Sequence, residues 1–326
     1  MRGPVFRAAA VQDSPIFLNA NQTTEKACYL IALAAAQGAQ IVAFPETWLP
    51  GYPVWLDFAP GAALWDHPPA KALFALLFEN SITLEGPEVE ALVKKAADCG
   101  VIVVMGAHER VGGTLYNTML YLSGKGVLGI HRKLMPTYTE RLIWGQGDGS
   151  TLTVIDSALG RIGGLICWEH WMPLARAAMH ARHEMVHIAQ WPTCREMNLV
   201  ASRHYAFEGQ CFVLAAASVL TREEALANTG GVAREALEEM PGAKGDLLLR
   251  GGSAVIAPNG DLLAGPLQGT AGILVAEIDP ACCIEGRMLL DVNGHYSRPD
   301  VFRLEVDQTA HSDVVFKTTA EGAFSH

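Results

Sequence analysis

The sequence predicts an α/β protein in which two mixed β-sheets pack together with helices outside them. Short apolar, β-rich runs alternate with helical patterns along most of the 326 residues. Two hairpin signals, Ser123-Gly124-Lys125-Gly126 and Pro258-Asn259-Gly260-Asp261, add antiparallel neighbours to strands joined through helices, so the sheets are mixed. The strand candidates also exceed the roughly ten that one twisted sheet holds before it splits into two.

In chain order, strands are predicted at Val5–Val11, Gln40–Phe44, Val101–Ala107, Thr114–Leu122, Val127–Arg132 and Leu152–Ile155. Further strands follow at Ile162–Ile166, Met185–Ala189, Phe212–Ala217, Ser253–Ala257 and Gly272–Ile278. Helix Gln22–Gln37 carries Ala27, Leu30, Ile31, Ala34 and Ala35 on one stripe. Helix Pro87–Cys99 opens on proline and acidic residues and stops at Gly100. Pro173–Arg182 and Glu196–Gln210 complete the helices, with His180 and His204 expected on their surfaces. Residues 221–250 turn polar and Gly/Pro-containing, which predicts a surface insertion or lid on a single domain over 1–305. Residues 306–326 read as a polar, loosely ordered tail.

Composition narrows the class of function. Half the residues are hydrophobic, enough for a large core, and 24 basic against 34 acidic residues give a net charge of −10. That charge disfavours nucleic acid and anionic membranes as partners. The first twenty residues, interrupted by Gln12 and Asp13, do not read as a signal peptide. The longest apolar run, Phe212 to Leu220, falls far short of the roughly 18 residues that span a bilayer. Seven scattered cysteines predict free thiols in a reduced, cytoplasmic protein.

Three residues stand at strand C-termini, where open α/β sheets build their sites: Glu46, Lys133 and Cys167. Together they suit covalent thiol catalysis. The thiolate is the active nucleophile, a cation and helix-terminal N–H groups stabilise it, and a carboxylate takes the proton. The other cysteines (Cys28, Cys99, Cys194, Cys211, Cys282 and Cys283) read as packing residues.

These residues lie within longer blocks. Phe44 to Pro53, His131 to Arg141 and Cys167 to His170 resemble the three signature blocks of nitrilases, in the carbon–nitrogen hydrolase superfamily. Trp144 to Gly149 and Gly294 to Asp300 resemble further blocks, in the same order over nearly the whole chain. The resemblance implies a four-layer α-β-β-α sandwich. It implies Glu46 as general base, Lys133 as the cation near the developing charge, Cys167 as nucleophile and Glu140 as a second glutamate orienting the lysine and substrate. The Trp168 N–H, with Lys133, is the implied oxyanion donor pair.

Tyr52, Trp144, Trp168, His170, Trp171, Trp191 and Pro192 fall in segments resembling the family's substrate-facing walls, with Met197 beside them. The implied reaction hydrolyses an organic nitrile to the acid and ammonia through a thioimidate and a thioester, with no metal or organic cofactor. Cyanide hydrolysis, an amidase or carbamoylase using the same groups, and a silent scaffold of the same fold are the competing readings. A homodimer able to extend into spiral oligomers is also implied; the short tail after Asp300 argues against filaments.

Two motifs compete for attention. His183-Glu184-Met185-Val186-His187 matches the zinc-protease pattern, but that pattern needs a helix and Met185–Ala189 reads as a strand. Gly145 to Gly149 lacks the Lys-Ser/Thr of a phosphate loop and carries Asp148, so it reads as a turn.

Overall fold

Strand β1 (Phe6–Gln12) displays the layering in a single element. Its Phe6, Ala8 and Ala10 join a core shared with the second sheet, while Ala9 and Val11 on the other face join a core shared with helices. Alternation along an extended strand produces both contacts. The structure is a computed structural model and describes residues 3–311 and 314.

The first sheet continues through β2 (Ala39–Ala43) and β3 (Ile102–Val111), both parallel to β1 in succession, then β4 (Thr114–Ser123) and β5 (Gly126–Arg132) as antiparallel hairpins. The second sheet is built from β6 (Val154–Ser157), β7 (Gly160–Ile166), β8 (Val186–Gln190), β9 (Phe212–Ala216), β10 (Val219–Thr221) and β11 (Leu247–Ile256), with β12 (Leu262–Gln268) paired to β11. Strand β13 (Gly272–Ile278) returns to the first sheet, antiparallel to β1. Within the second sheet β7, β8 and β9 are parallel. Both sheets are therefore mixed.

Helices α1 (Ala20–Ala36) and α4 (Pro87–Cys99) cover the outer face of the first sheet; between them in the chain lie α2 (Trp55–Phe58) and α3 (Pro68–Glu79). Helices α5 (Pro173–His180) and α6 (Glu196–Gly209) cover the second sheet. The result is the four-layer α-β-β-α sandwich. Gly100, at φ 66°, ends α4 in the left-handed conformation that glycine adopts freely.

The predicted strands all exist, most shifted by one or two residues. Ser253–Ala257 captures only the end of the longer β11, and β10 and β12 escaped the pattern. Strand β12 lies at the margin of its sheet, largely exposed, so no apolar alternation marks it. Helix α3 is mainly apolar around its circumference, which blurs a helical stripe. Residues 221–250 contain α7 (Arg222–Ala227), α8 (Gly231–Glu238) and the start of β11. Their Ala225, Leu226, Ala236 and Leu237 pack in one core with Leu73 and Leu77 of α3. A last helix, α9 (Pro280–Gly286), follows β13.

Of the expected tail, residues 312–313 and 315–326 lie outside the described residues. The His311 N–H donates to Asp148 Oδ2 at 2.8 Å. No helix among the described residues is long and apolar enough to cross a membrane.

Candidate active site

Glu46 follows β2 on a backbone pressed against β3. Gly106 permits the approach, since a Cβ there would lie 2.7 Å from the Thr47 nitrogen. Thr47 takes φ 40°, and the turn is held by Trp48 Nε1 donating to Asp13 O at 2.8 Å and by Gln190 Nε2 donating to Phe44 O at 2.9 Å. The Gln190 bond crosses from the second sheet to the first. It fixes the end of β2 to the end of β8.

Glu46 is fully buried. Its Oε1 accepts from Lys133 Nζ at 2.8 Å and from Asn117 Nδ2 at 2.7 Å, while Oε2 has no hydrogen-bond partner among the described residues. Lys133 directly follows β5, its N–H donating to Asn117 O at 2.8 Å. Its ammonium also donates to Glu140 Oε2 at 2.6 Å. Glu140 is held in turn by Thr137 N–H at 2.6 Å and Tyr52 OH at 3.1 Å.

Cys167 directly follows β7 at φ 51°, a left-handed conformation uncommon for a residue with a Cβ. It opens a 3-10 turn, Cys167–Trp171, and α5 begins at Pro173, where the sequence placed a helix start. Glu169 anchors that turn. Its carboxylate accepts from Ile166 N–H at 2.7 Å, Leu134 N–H at 2.7 Å and His131 Nε2 at 2.8 Å. The backbone beside Cys167 is thus tied to the backbone beside Lys133. One atom each from Glu46, Glu140 and Cys167, the sulfur included, lie within 4.8 Å of one another. A thiol and two carboxylates at such spacing suit a cation, and the Lys133 ammonium is the cation in contact with both carboxylates.

The electrostatics correct one expectation. Burial, reinforced by Glu46, pushes the Cys167 thiol well above its ordinary pKa, and Lys133 lowers it less than these raise it. The resting group is a thiol, not the thiolate expected from a helix terminus and a cation. Burial likewise raises the Glu46 carboxyl, against the pull of Lys133. For Lys133 burial disfavours the ammonium, but Glu46, Cys167 and Glu140 outweigh it and hold the pKa above the usual lysine value. A raised carboxyl beside a raised thiol can take its proton as the sulfur attacks.

Above this group opens a cavity of about 690 Å³, lined by Tyr52, Asp57, Thr137, Tyr138, Thr139, Glu140, Cys167, Trp168, Trp171, Pro192, Thr193, Arg195, Glu196, Met197 and Asn198. That volume suits a small organic molecule.

The carbon–nitrogen hydrolase family model matches residues 7–288. This chain belongs to the carbon–nitrogen hydrolase family. Among its relatives, an aliphatic nitrilase of Sinorhizobium fredii (strain HH103) is 40% identical over 95% of this chain and 98% of its own. A bifunctional nitrilase/nitrile hydratase of Nicotiana tabacum, NIT4B, is 39% identical over 99% of this chain and 92% of its own. The solved structure of Saccharomyces cerevisiae Nit3, from branch 10 of the nitrilase superfamily, shares the fold at a TM-score of 0.67 and 16% identity, covering 90% and 96% of the two chains.

In this carbon–nitrogen hydrolase the expected walls divide. Tyr52, Trp168, Trp171, Pro192 and Met197 line the cavity, whereas Trp144, His170 and Trp191 stand behind it. Trp144 Nε1 donates to His108 Nδ1 at 3.0 Å, and its ring lies 6.1 Å from that of Tyr52. Trp191 Nε1 donates to Ser202 Oγ at 3.2 Å and stacks on His170 at 4.8 Å. These three support the wall, because an aromatic in a run that resembles a family block can face either side of a turn. His180 is another correction. It is buried, with Nε2 3.1 Å from Glu208 Oε2.

Sequence reading missed Asp57, Thr193, Arg195 and Asn198 in the cavity, and Asn117 and Glu169 beneath it. The signal for Asn117 was a lone amide inside an apolar strand. The zinc-like motif is not a helix: His187 lies on β8, and Glu184, just before that strand, is turned into the core.

Proposed function

We propose that this protein is a nitrilase that hydrolyses an organic nitrile to a carboxylic acid and ammonia, with Cys167 as nucleophile. The observation that carries the reading is the buried cluster of Cys167, Glu46 and Glu140, its two carboxylates bridged by Lys133 Nζ at 2.8 and 2.6 Å, with Cys167 and Glu140 lining the cavity and Glu46 and Lys133 behind them. Glu46 takes the thiol proton as Sγ bonds to the nitrile carbon, and the nitrogen is protonated to give a thioimidate. A water activated by Glu46 then adds to that carbon. The C–N bond breaks, ammonia leaves, and a thioester remains. A second water breaks the C–S bond, releasing the acid and restoring the thiol. Lys133 and the Trp168 N–H bear the negative charge that develops at the substrate. Glu46 Oε2, which accepts no hydrogen bond within normal distance among the described residues, supports the base role, since its lone pair is open to the Cys167 proton.

The cavity has room for an organic substituent, which cyanide lacks, and this favours a nitrile over cyanide. We take residues 1–305 as one catalytic domain with a surface insertion at 221–250 and a C-terminal tail, acting in the cytoplasm as a homodimer. Exposed Leu174 of α5 and Val200 and Phe207 of α6 support a self-association face. Ammonia release measured on a nitrile panel, the matching amides and cyanide tests the substrate. Release from nitriles is expected, and release from amides alone would overturn the reading. Sedimentation measures the oligomer.

A further inference from the structure

Behind the Cys167 turn runs a buried chain of hydrogen bonds. Tyr205 OH donates to Glu184 Oε1, Glu184 Oε2 lies 3.0 Å from His187 Nδ1, His187 Nε2 lies 3.0 Å from His170 Nε2, and His170 Nδ1 lies 2.8 Å from Cys167 O. Glu184, His187 and His170 are all at most 2% exposed. Gly163 makes space for the carboxyl, because a Cβ there would collide with Glu184 Oε2.

The proton inventory of this chain is determined by its ends. A carbonyl only accepts, so His170 Nδ1 carries hydrogen. One hydrogen must sit between the two Nε2 atoms and one between His187 Nδ1 and Glu184. Every arrangement that satisfies all three contacts therefore holds one proton more than a carboxylate with two neutral imidazoles. The proton resides on Glu184, His187 or His170, and the trio is neutral. Burial selects among them: it pushes His170 down to about 3 and His187 well below its ordinary value, and pushes Glu184 up to about 7. Glu184 is then a carboxylic acid donating to His187, which donates through Nε2 to His170.

We propose that Glu184, His187 and His170 are positioning residues that orient and polarise the Cys167–Trp168 peptide, and so set the oxyanion-binding N–H of Trp168. The Cys167–Trp168 bond is trans, so its N–H points opposite to its C=O. Anchoring the carbonyl on His170 turns the N–H away from the buried histidines. A donor at the carbonyl also strengthens the N–H of the same peptide. This rests on the reading of Cys167 and the Trp168 N–H given under Proposed function.

Loss of the extra proton forces two acceptors face to face somewhere along the chain, so the device titrates. Glu184 is faced by Tyr205 and Cys211, by His180 from α5 and by Tyr121 from β4; His187 by His131, His180 and Glu169; His170 by Arg176 and Glu169. Glu208 Oε2 accepts from Arg176 Nε at 2.8 Å and lies 3.1 Å from His180 Nε2.

The test compares Glu184→Gln, whose amide can donate to His187 and accept from Tyr205, with Glu184→Ala. Glu184→Ala should lower kcat at least about tenfold with KM little changed, toward the roughly hundredfold that an ångström of misplacement can cost. Glu184→Gln should stay near wild type. Equal kcat in the two variants, whether both low or both normal, overturns the proposal. Nitrogen NMR of the rings in wild type provides a readout that survives a misfolded alanine variant. Below about pH 7 it should find neutral His170 protonated on Nδ1 and neutral His187 on Nε2, with shifts that move as pH rises in wild type and not in Glu184→Gln. The opposite tautomers, or pH responses that superimpose, overturn it. Iodoacetamide labelling of Cys167 separates the two readings: labelling that leaves turnover intact removes Cys167 as nucleophile, while the tautomers still report on the relay.

Discussion

Two buried polar clusters meet at Cys167 and are built on opposite electrostatic rules. On the cavity side Lys133 lies between Glu46 and Glu140, at 2.8 and 2.6 Å, so charges are packed against charges. On the far side Glu184, His187 and His170 form a chain that is neutral as a whole. Buried ions are tolerated when each faces a counter-charge and hydrogen bonds, whereas a neutral chain needs only donors and acceptors in alternation. Charge is concentrated where protons move. Neutral groups hold the frame still.

The contrast is most sharply broken at the sulfur. Cys167→Ala should reduce ammonia release by at least about 10⁴-fold while leaving the fold intact, as checked by turnover and circular dichroism. Glu46→Gln should cost about 10² to 10⁴ in kcat yet little stability, because Lys133 keeps Glu140 as its counter-ion. Lys133→Met should behave differently: it leaves two buried carboxylates without a cation, so denaturant melts should lose about 3–5 kcal/mol.

The pH dependences should also differ between the clusters. Glu46 must be ionised to accept a proton, and its pKa is raised, so kcat should fall with acid at a pH above the ordinary carboxylate range. Glu184 is raised to about 7 from the usual 4.5, so between those values the native state holds more protons than the unfolded chain. Its contribution to stability is complete below about 4.5 and is lost as pH rises through about 7. Melting temperatures across that window should decline less steeply in Glu184→Gln. The smallest effect belongs to the rim: Trp171→Ala should change KM by less than about tenfold and stability by roughly 0.5 kcal/mol or less.

Legibility in the sequence followed locality. Glu46, Lys133, Glu140 and Cys167 were readable because each sits in a block of recognisable residues at a strand end or in the turn that follows. Asn117 and Glu169 were not, since their roles depend on partners 71 and 35 positions away. The wall assignment failed for Trp144, His170 and Trp191 for a related reason. A one-residue change in which way a turn faces exchanges wall for support, and composition carries no trace of that choice. The zinc-like run illustrates the converse: its letters match a helical metal motif, its apolar pattern reads as a strand, and β8 sets His187 into a hydrogen-bond chain.

The sequence by itself determined the alternation of strands and helices, the mixed character of the sheets, the residues proposed for the chemistry and the family to which the chain belongs. Hydrophobic periodicity and local turn chemistry act over a few residues, so they survive in one dimension. Only the tertiary structure decided that the thiol rests protonated, that Lys133 is shared by two carboxylates, and that Glu184 reaches the Cys167 carbonyl through two histidines. Those properties arise from burial and from contacts between distant strands. Desolvation and hydrogen-bond pairing have values only after the layers have closed.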